Sequence, residues 1–485
     1  MERVEAEAIV DGDRETAIGL LLRLDELVEA NQRLVEANER LEVRVGELER
    51  RLNRSSRNSS LPPSQDPPSV PKRAGGAGSG RKRGGQEGHE GRHRRLVPPE
   101  RVDEVVEHWP ERCPSCAHVF AGPERVDAGE PWRHQVAELP PVAVFVTEHR
   151  LHRVCCPGCA AQTRAELPDG VSRSAFGPRL QAAVATLAVR NRVSRRDLVE
   201  LARELFGVEL STGAVDAILQ RAGEALELPY EDLNAQVRNA AAVNVDETGW
   251  RLRGAKRTVW GAFTDKVALL RIAPDRHERE LVALLGEEFT GICCSDRWWA
   301  YNRINPVKRQ VCWSHLIRDF TAHSEGMAAQ KELGETGLRI ADQLFDAWNT
   351  FKHDDDRRKL KRRTAPLKRE LKTILETNAT KHARNRYTKT IANNLLKLWP
   401  ALWTFTELDG VEPTNNHAER GLRGAVIYRK LSFGSQSERG EQTIERLLSA
   451  SITCRLQKRS LFAYLTEALT ASIRGDPVPA LTRPA

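Results

Sequence analysis

Leu20, Leu27, Leu34, Leu41 and Leu48 fall seven residues apart, and the positions four after each are Leu24, Asn31, Asn38, Val45 and Leu52. This register commits the N-terminal stretch to one long helix whose seam seeks a partner. Leu at d with Asn at two a positions favours a parallel two-stranded coiled coil, because buried amides pair only in register. Arg44 and Glu49 suit an interchain g to e ion pair, while apolar Leu21, Val28 and Val35 at e leave open a higher oligomer or packing onto the body. We assign residues 15–52 to a leucine-zipper coiled coil and expect a homodimer or higher oligomer through it.

From residue 53 to 96 the chain loses all periodicity and becomes rich in Pro, Gly, Ser and basic residues, a composition that cannot bury enough apolar surface to fold. Between Arg50 and Arg95 there are 12 Lys or Arg against 3 acids, a local balance of +9, while the whole chain carries +8. That one segment accounts for the entire excess. It reads as a disordered basic linker of the kind that releases counterions from a polyanion, or as a merely solubilising one.

Two exclusions follow from composition. No apolar run approaches the roughly 18 residues that a membrane span needs, and "MERVEAEAIV" is acidic where a secretory signal is basic and then apolar. The expectation is a cytoplasmic protein with no membrane partner. In a reducing compartment the nine cysteines are not disulfide staples. Cys113 and Cys116 in "RCPSC" and Cys156 and Cys159 in "CCPGC" form two knuckles with 39 residues between them, four thiolates of the number and spacing that structural Zn²⁺ takes. The intervening "EPWRHQVAELPPVAVFVTEHRLHRV" reads as two strands, which predicts a zinc ribbon over 97–168. Cys155 receives no role.

Residues 172–230 read as helices. Ser194 with Asp197 makes a capping box, Gly207 stops that helix, and "LSTGAVDAILQRA" opens with a second cap. Two short helices joined through a Gly turn fit a helix-turn-helix-like DNA-binding domain whose second helix enters the major groove, a spacing that ordinary helical domains also show.

The periodicity then switches to strands. "AAVNVDETGW" ends a buried strand at Asp246, two more strands and a helix follow, and "GICCSD" runs into Asp296 before a fifth strand in "KRQVCWSHL". That order matches a ribonuclease-H-like fold, in which the first and fourth strands lie side by side and bring Asp246 and Asp296 together. Either aspartate alone is an ordinary turn former. A third carboxylate on a later helix, Glu419 in "TNNHAERGLRG", completes a set able to hold two hard cations for phosphoryl transfer. On an arbitrary helix a glutamate beside Arg420 and Arg423 is a surface ion pair.

The ordered series "NSSLPPSQD", "GGQEGHEG", CPSC, CCPGC, "VDETGW", "SDRWWAYN", "CWSHLIRDF", "TNNHAERGLR" and "RKLSFGSQSERG" resembles the insertion-sequence transposases of the IS66 family, over nearly the whole chain. One departure is "EPTNN", where many relatives read closer to "IDNN". The resemblance implies a large catalytic subunit with an Asp-Asp-Glu triad at Asp246, Asp296 and Glu419, two Mg²⁺ ions with Mn²⁺ as substitute, and a structural Zn²⁺. It places Asn416, Arg420, Arg423, Arg429 and Lys430 against DNA phosphates. The implied partners are the terminal repeats of the element, target DNA and small accessory proteins. Cys312 and His315 match a Cys-x-x-His of the family; two ligands do not fill a zinc shell, which favours a structural or DNA-positioning role.

The expected architecture is multidomain and mainly α, with an α/β ribonuclease-H-like catalytic core over 238–320 and 411–440. The 123 residues from Asp296 to Glu419 exceed a simple core, which predicts a helical insertion over 321–410, with C-terminal helices and tail over 441–485. The expected activity is metal-dependent cleavage and strand transfer of DNA. A non-catalytic DNA-binding repressor and a nuclease acting on RNA or junctions are the alternatives.

Overall fold

The computed structural model describes residues 14–59, 66, 96–140, 142–380 and 385–482. Most of the basic linker expected over 53–96 lies outside the described residues. Backbone contacts divide the chain into two compact units, one comprising residues 1–70, 147–203 and 209–485, the other residues 71–146 and 204–208.

The heptad stretch is a single helix, α1 (Arg14–Leu52). Its leucines stay uncovered within one chain, with Leu27 67%, Leu34 64% and Leu41 61% exposed. Near its C-terminal end a Cβ added at Gly46 would sit 2.8 Å from the Met327 sulfur, and just beyond the helix Asn58 Nδ2 donates to Glu325 (2.8 Å).

In the smaller unit the described chain is irregular, held by Val97, whose N–H and carbonyl both bond the Gln135 side chain (2.7 and 2.9 Å). The two strands expected between the cysteine knuckles do not form. Residues 129–140 and 142–152 carry no strand, and Val136, Val142, Val144 and Phe145 are exposed. Alternation makes a strand only when a neighbour receives its backbone bonds, and "LPP" interrupts this stretch with residues that cannot donate. The strands that do form are short and flank the second knuckle, β1 (Arg153–Cys155) and β2 (Gln162–Arg164), paired antiparallel.

The larger unit follows with α2 (Pro178–Val189), α3 (Arg195–Phe206), α4 (Thr212–Ala225) and α5 (Glu227–Arg238). Both caps form as expected: Ser194 Oγ accepts from Asp197 N (3.2 Å), and Ser211 Oγ from Ala214 N (3.0 Å). Gly207 turns the chain at φ +62°. Val215, Ile218, Leu219 and Ala222 bury one face of α4, which leaves its first turn, Thr212 and Gly213, as the exposed end.

The sheet is mixed and five-stranded: β3 (Ala242–Leu252), β4 (Ala255–Phe263), β5 (Ala268–Ala273), β6 (Ile292–Ser295) and β7 (Arg309–Val311), in the order β5-β4-β3-β6-β7. The first three form an antiparallel meander, and β6 and β7 run parallel to β3. The β3–β4 turn is the two-residue Arg253-Gly254, with φ of +48° and +83°, the left-handed pair that matches hairpin twist. Helix α6 (Glu278–Leu285) links β5 to β6.

After β7 come α7 (Trp313–Ser324), α8 (Ala328–Asp354), α9 (Arg357–Ala379), α10 (Arg386–Lys397) and the short α11 (Thr404–Glu407). These helices share one apolar core with the sheet, in which Cys294 and Val311 meet Trp313, Phe320, Leu344 and Leu371. Close crossing of α7 and α8 depends on Gly334, where a Cβ would lie 2.2 Å from Ser324 N.

Helices α12 (Asn416–Ser432), α13 (Glu438–Leu456) and α14 (Leu461–Arg474) close the chain. Helix α13 covers the edge of the sheet. Thr453 Oγ1 accepts from Ala268 N (3.0 Å), Ser449 Oγ from Leu270 N (2.9 Å), and the Glu445 carboxylate from Ile272 N. Four helical residues advance about 6.0 Å and two strand residues about 6.6 Å, so acceptors at every fourth position meet donors at every second. A buried N–H left unmatched costs about 1–3 kcal/mol, which is what each of these contacts avoids. Among the described residues no helix is long and apolar enough to cross a membrane.

Candidate active site

Side chains alternate across a strand, so Asp246 and Glu247 leave β3 on opposite faces. Asp246 pairs across the ladder with Gly261, where a Cβ would strike Leu422 of α12, and four residues on, on the same face, Trp250 stacks on Tyr428 of the same helix (6.3 Å). Asp246 therefore faces α12, the helix that carries Glu419. Glu247 pairs with Trp260 on the other face, where Trp260 meets Tyr301 edge-on (6.0 Å) and the Glu247 carboxylate is closed in by Tyr301 Oη and Arg276.

Asp296 follows β6, whose parallel register with β3 runs toward Asp246; the strand expected to end at Asp246 continues to Leu252 because β4 pairs with it along that length, so Asp246 lies within β3 and only Asp296 at a strand end. Its position is fixed from three directions. Trp298 N donates to Asp296 Oδ1 (2.8 Å), and Arg309 Nη2 and Ser295 Oγ both donate to the Asp296 carbonyl (2.6 and 3.0 Å). Arg309 is wholly buried and also donates through Nε to Ser295 Oγ (3.1 Å). Arg276, the partner of Glu247, lies over the Trp298 ring at 4.4 Å, which links the Asp296 loop to β3.

The third side of the site is the junction of α7 and α12. Asn415, buried just before α12, donates through Nδ2 to the Val245 carbonyl (2.7 Å) and through its backbone N–H to Cys312 Sγ (3.1 Å). Cys312 thus has a structural task at the start of α7. His315, one turn on, has its Nδ1 3.9 Å from Glu419 Oε1, and neither that nitrogen nor Asn415 Oδ1 has a hydrogen-bond partner among the described residues. Two buried polar atoms are thereby left unsatisfied beside the carboxylates.

The electrostatics are those of a site crowded with negative charge. Burial, reinforced by Glu247 and Asp296, pushes the Asp246 carboxyl up to about 8. Burial and then Asp296 also raise Glu247, against the opposing pull of Arg276. Burial works against a charge on His315, yet Cys312 and Asp296 outweigh it and lift the imidazole to about 9. Among the described residues no three His, Cys, Asp or Glu side chains are drawn together into a ready-made metal shell. The oxygen donors and their mutual repulsion nevertheless fit a hard cation, which would relieve the charge that burial makes costly.

A family model described as "Transposase IS66 family" matches residues 173–443, more than half of the 485-residue chain. The chain belongs to the IS66 family of transposases. All of Asp246, Glu247, Asp296, His315 and Glu419 fall inside the matched span. A second model, described as a family of unknown function (DUF6444), matches residues 19–95. Among curated proteins none matches the chain. A transposase role, and with it DNA binding, belongs to this protein as a member of the IS66 family.

The basic residues expected against DNA have different surroundings. Arg420, Arg423 and Lys430 are exposed on α12. Arg429 instead turns inward, where its Nη1 donates to the Gly249 carbonyl of β3, and burial followed by Arg251 lowers its pKa. Asn416 Oδ1 accepts from Ser314 Oγ (3.4 Å). The two cysteine knuckles are built alike: Cys113 N and Cys156 N each donate to the carbonyl five residues on (both 2.8 Å), with Ala117 and Ala160 at φ +60° and +58°. In each turn backbone N–H groups lower the first thiol's pKa, from Cys116 at Cys113 and from Gly158 at Cys156. Cys155 Sγ donates to the Ala160 carbonyl (3.3 Å) within the second turn.

Sequence reasoning missed Glu247, Arg276, Tyr301, Arg309 and Asn415. Only Glu247 had a visible signal, as the second acid of "DETGW"; the others become relevant through tertiary contact.

These shifts have a testable sign. Asp246, raised from 3.8 to about 8, stabilises the metal-free fold fully below about pH 4 and loses that contribution as pH rises through 8. His315, raised from 6.5 to about 9, loses its own contribution in the same direction over about pH 6.5–9. The metal-free thermal midpoint should therefore fall between pH 5 and pH 9. At pH 8.5 Asp246→Asn should be more stable than the parent by at least about 1.4 kcal/mol, the worth of one pK unit. A flat pH profile in denaturation melts, identical for both proteins, contradicts this account.

Proposed function

We propose that this IS66-family protein is a Asp-Asp-Glu transposase that cleaves DNA at the ends of its element and joins the freed ends to a target, on a ribonuclease-H-like core. The observation that carries the reading is the neighbourhood of Asp246, within β3, and Asp296, just after the adjoining β6, close enough for one charge to raise the other's pKa, with Glu419 beside His315. The strand order β5-β4-β3-β6-β7 supports the core assignment.

Asp246, Asp296 and Glu419 are the residues to hold two Mg²⁺ ions, with Mn²⁺ as a substitute. Such ions, when bound, stabilise the attacking and leaving oxygens of a phosphodiester. Asn415 and Arg309 act as positioning residues for the ends of β3 and β6. The exposed Arg420, Arg423 and Lys430, with Asn416 at the helix start, bind phosphates and set the strand's register. In the first reaction water adds to phosphorus and the 3′ oxygen departs with a proton. In the second that 3′ hydroxyl attacks a target phosphodiester and displaces a target 3′ oxygen. With linear DNA bearing the element ends and Mg²⁺ or Mn²⁺, a sequencing gel should show 3′ nicks at the boundary that Asp246→Ala abolishes. Boundary nicks of equal strength from the variant would sink the assignment. Binding without nicking by either protein, even with the element's small accessory proteins added, would point to a repressor.

The two like-built, thiol-activating turns support one structural Zn²⁺ held by Cys113, Cys116, Cys156 and Cys159. Together with the exposed first turn of α4 and the basic linker, the module would grip end DNA. We expect about one zinc per chain by metal analysis, lost together with thermal stability in Cys113→Ser. Zinc-free protein of unchanged stability would refute the site.

The uncovered leucine seam of α1 supports pairing of two copies, which would hold two ends together in the cytoplasm, where the DNA is. Sedimentation should report an oligomer that Leu34→Lys with Leu41→Lys dissociates; a monomeric parent protein contradicts the zipper.

A further inference from the structure

One face of α12 looks away from Glu419 and shares only Arg420 with the phosphate contacts proposed above. His417, Arg420, Gly421 and Gly424 recur at helical spacing and line a cavity of about 220 Å³ together with Arg190 and Arg192 after α2 and Arg455 at the end of α13. Four guanidinium groups converge there, and none forms an ion pair with an acid among the described residues. Arg190 is anchored by Ser451, through Nε to Oγ (3.1 Å) and Nη2 to the carbonyl (2.6 Å). Arg192 Nε is buried without a hydrogen-bond partner among the described residues, and its backbone is held at φ +62°, a conformation that a side chain of this size rarely adopts. Gly424 brings the α12 backbone under the pocket, where a Cβ would meet Arg192 Nη2 only at an ordinary contact of 3.8 Å. His417 is spoken for by the Thr264 carbonyl at 2.7 Å, so the unmatched donors belong to the arginines.

A cavity with unpaired guanidinium donors, like charges at close quarters and a strained backbone lacks one component, a compact anion with several acceptor oxygens. We propose that this pocket seats a phosphate group of a nucleic-acid strand that passes α12 on the side away from Glu419. The ligand's identity as nucleic acid rests on the transposase reading; the pocket's demand for phosphate does not. The phosphate could be internal to the strand or a 5′-terminal monoester, which share the chemistry.

The first measurement is the thermal midpoint of the full chain in inorganic phosphate against chloride of matched ionic strength. The parent should gain about 3 °C or more in phosphate. Arg192→Met and Arg455→Met should lose most of that gain while melting no lower in chloride, because each removes a repelling charge. No specific gain in the parent, or a full gain in Arg192→Met and Arg455→Met, overturns the site. Next, fluorescence anisotropy in EDTA would compare strands of one sequence with and without a 5′ phosphate. Arg192→Met should bind about tenfold more weakly, with the salt slope reduced by about one. Loss on both strands identifies an internal phosphate, and loss confined to the phosphorylated strand a terminal one. Unaltered binding of both overturns the nucleic-acid assignment. EDTA removes metal from the assay, so a failure of nicking and a failure of this pocket remain distinguishable.

Discussion

Burying carboxylates beside one another is the constraint around which this transposase is arranged. Asp246, Glu247 and Asp296 stand on two adjoining strands in a site dry enough to push Asp246 to about 8, and a fold that did nothing further would disfavour its own ionised state. The surrounding residues answer the charge unevenly. Glu247 receives Arg276 and Tyr301 on its own face of the sheet, whereas Asp246 on the other face has no such pair among the described residues. Glu247 is thus compensated by protein partners, and under the proposed function Asp246 and Asp296 are the ones that would meet a cation.

Rigid placement accompanies that imbalance. Arg309, buried beneath the β6–β7 pair, bonds the Asp296 backbone and not its carboxylate, so it holds the residue without neutralising it. Asn415 does the same between β3 and α12 by bonding the Val245 carbonyl. At the far edge of the sheet α13 supplies Thr453, Ser449 and Glu445 to the open N–H row of β5, which seals the meander that carries Asp246. Arg309 and Asn415 thus each direct a side-chain donor to a backbone carbonyl, and the Asp296 carboxylate takes one backbone donor, from Trp298.

Helix α12 combines two environments. Leu422 and Tyr428 pack on the sheet and bring Glu419 toward His315, while the face bearing Gly421 and Gly424 opens onto the arginine cavity. Phe433 and Gly434, at φ +59° and +99°, then turn the chain so that Ser435 pairs with Arg251 at the β3 hairpin. The "RKLSFGSQSERG" stretch is thus partly a clasp on the strand that carries the first aspartate.

Much of this was legible in the chain itself. Heptad leucines require one long helix, the Ser194 and Ser211 caps form where spacing puts them, and β3 through β7 follow in the order that the apolar runs and Gly turns announce. Asp246, Asp296 and Glu419 stood out through their motifs, although β3 runs on past Asp246 to Leu252. What local pattern could not supply was partnership. "VAVFV" alternates like a strand but forms none, because the neighbour that would receive its bonds is not written in its own residues. The burial of one face of α4, the inward turn of Arg429 onto β3, and the convergence of Arg190, Arg192, Arg420 and Arg455 across more than two hundred residues follow from tertiary packing alone. Sequence by itself determined which segments became helix or strand and which residue types were available for chemistry, since those depend on period, capping and turn preference over a few residues. Tertiary structure decided which charges were paired and which were left unpaired, because pairing depends on distance and desolvation between segments far apart in the chain.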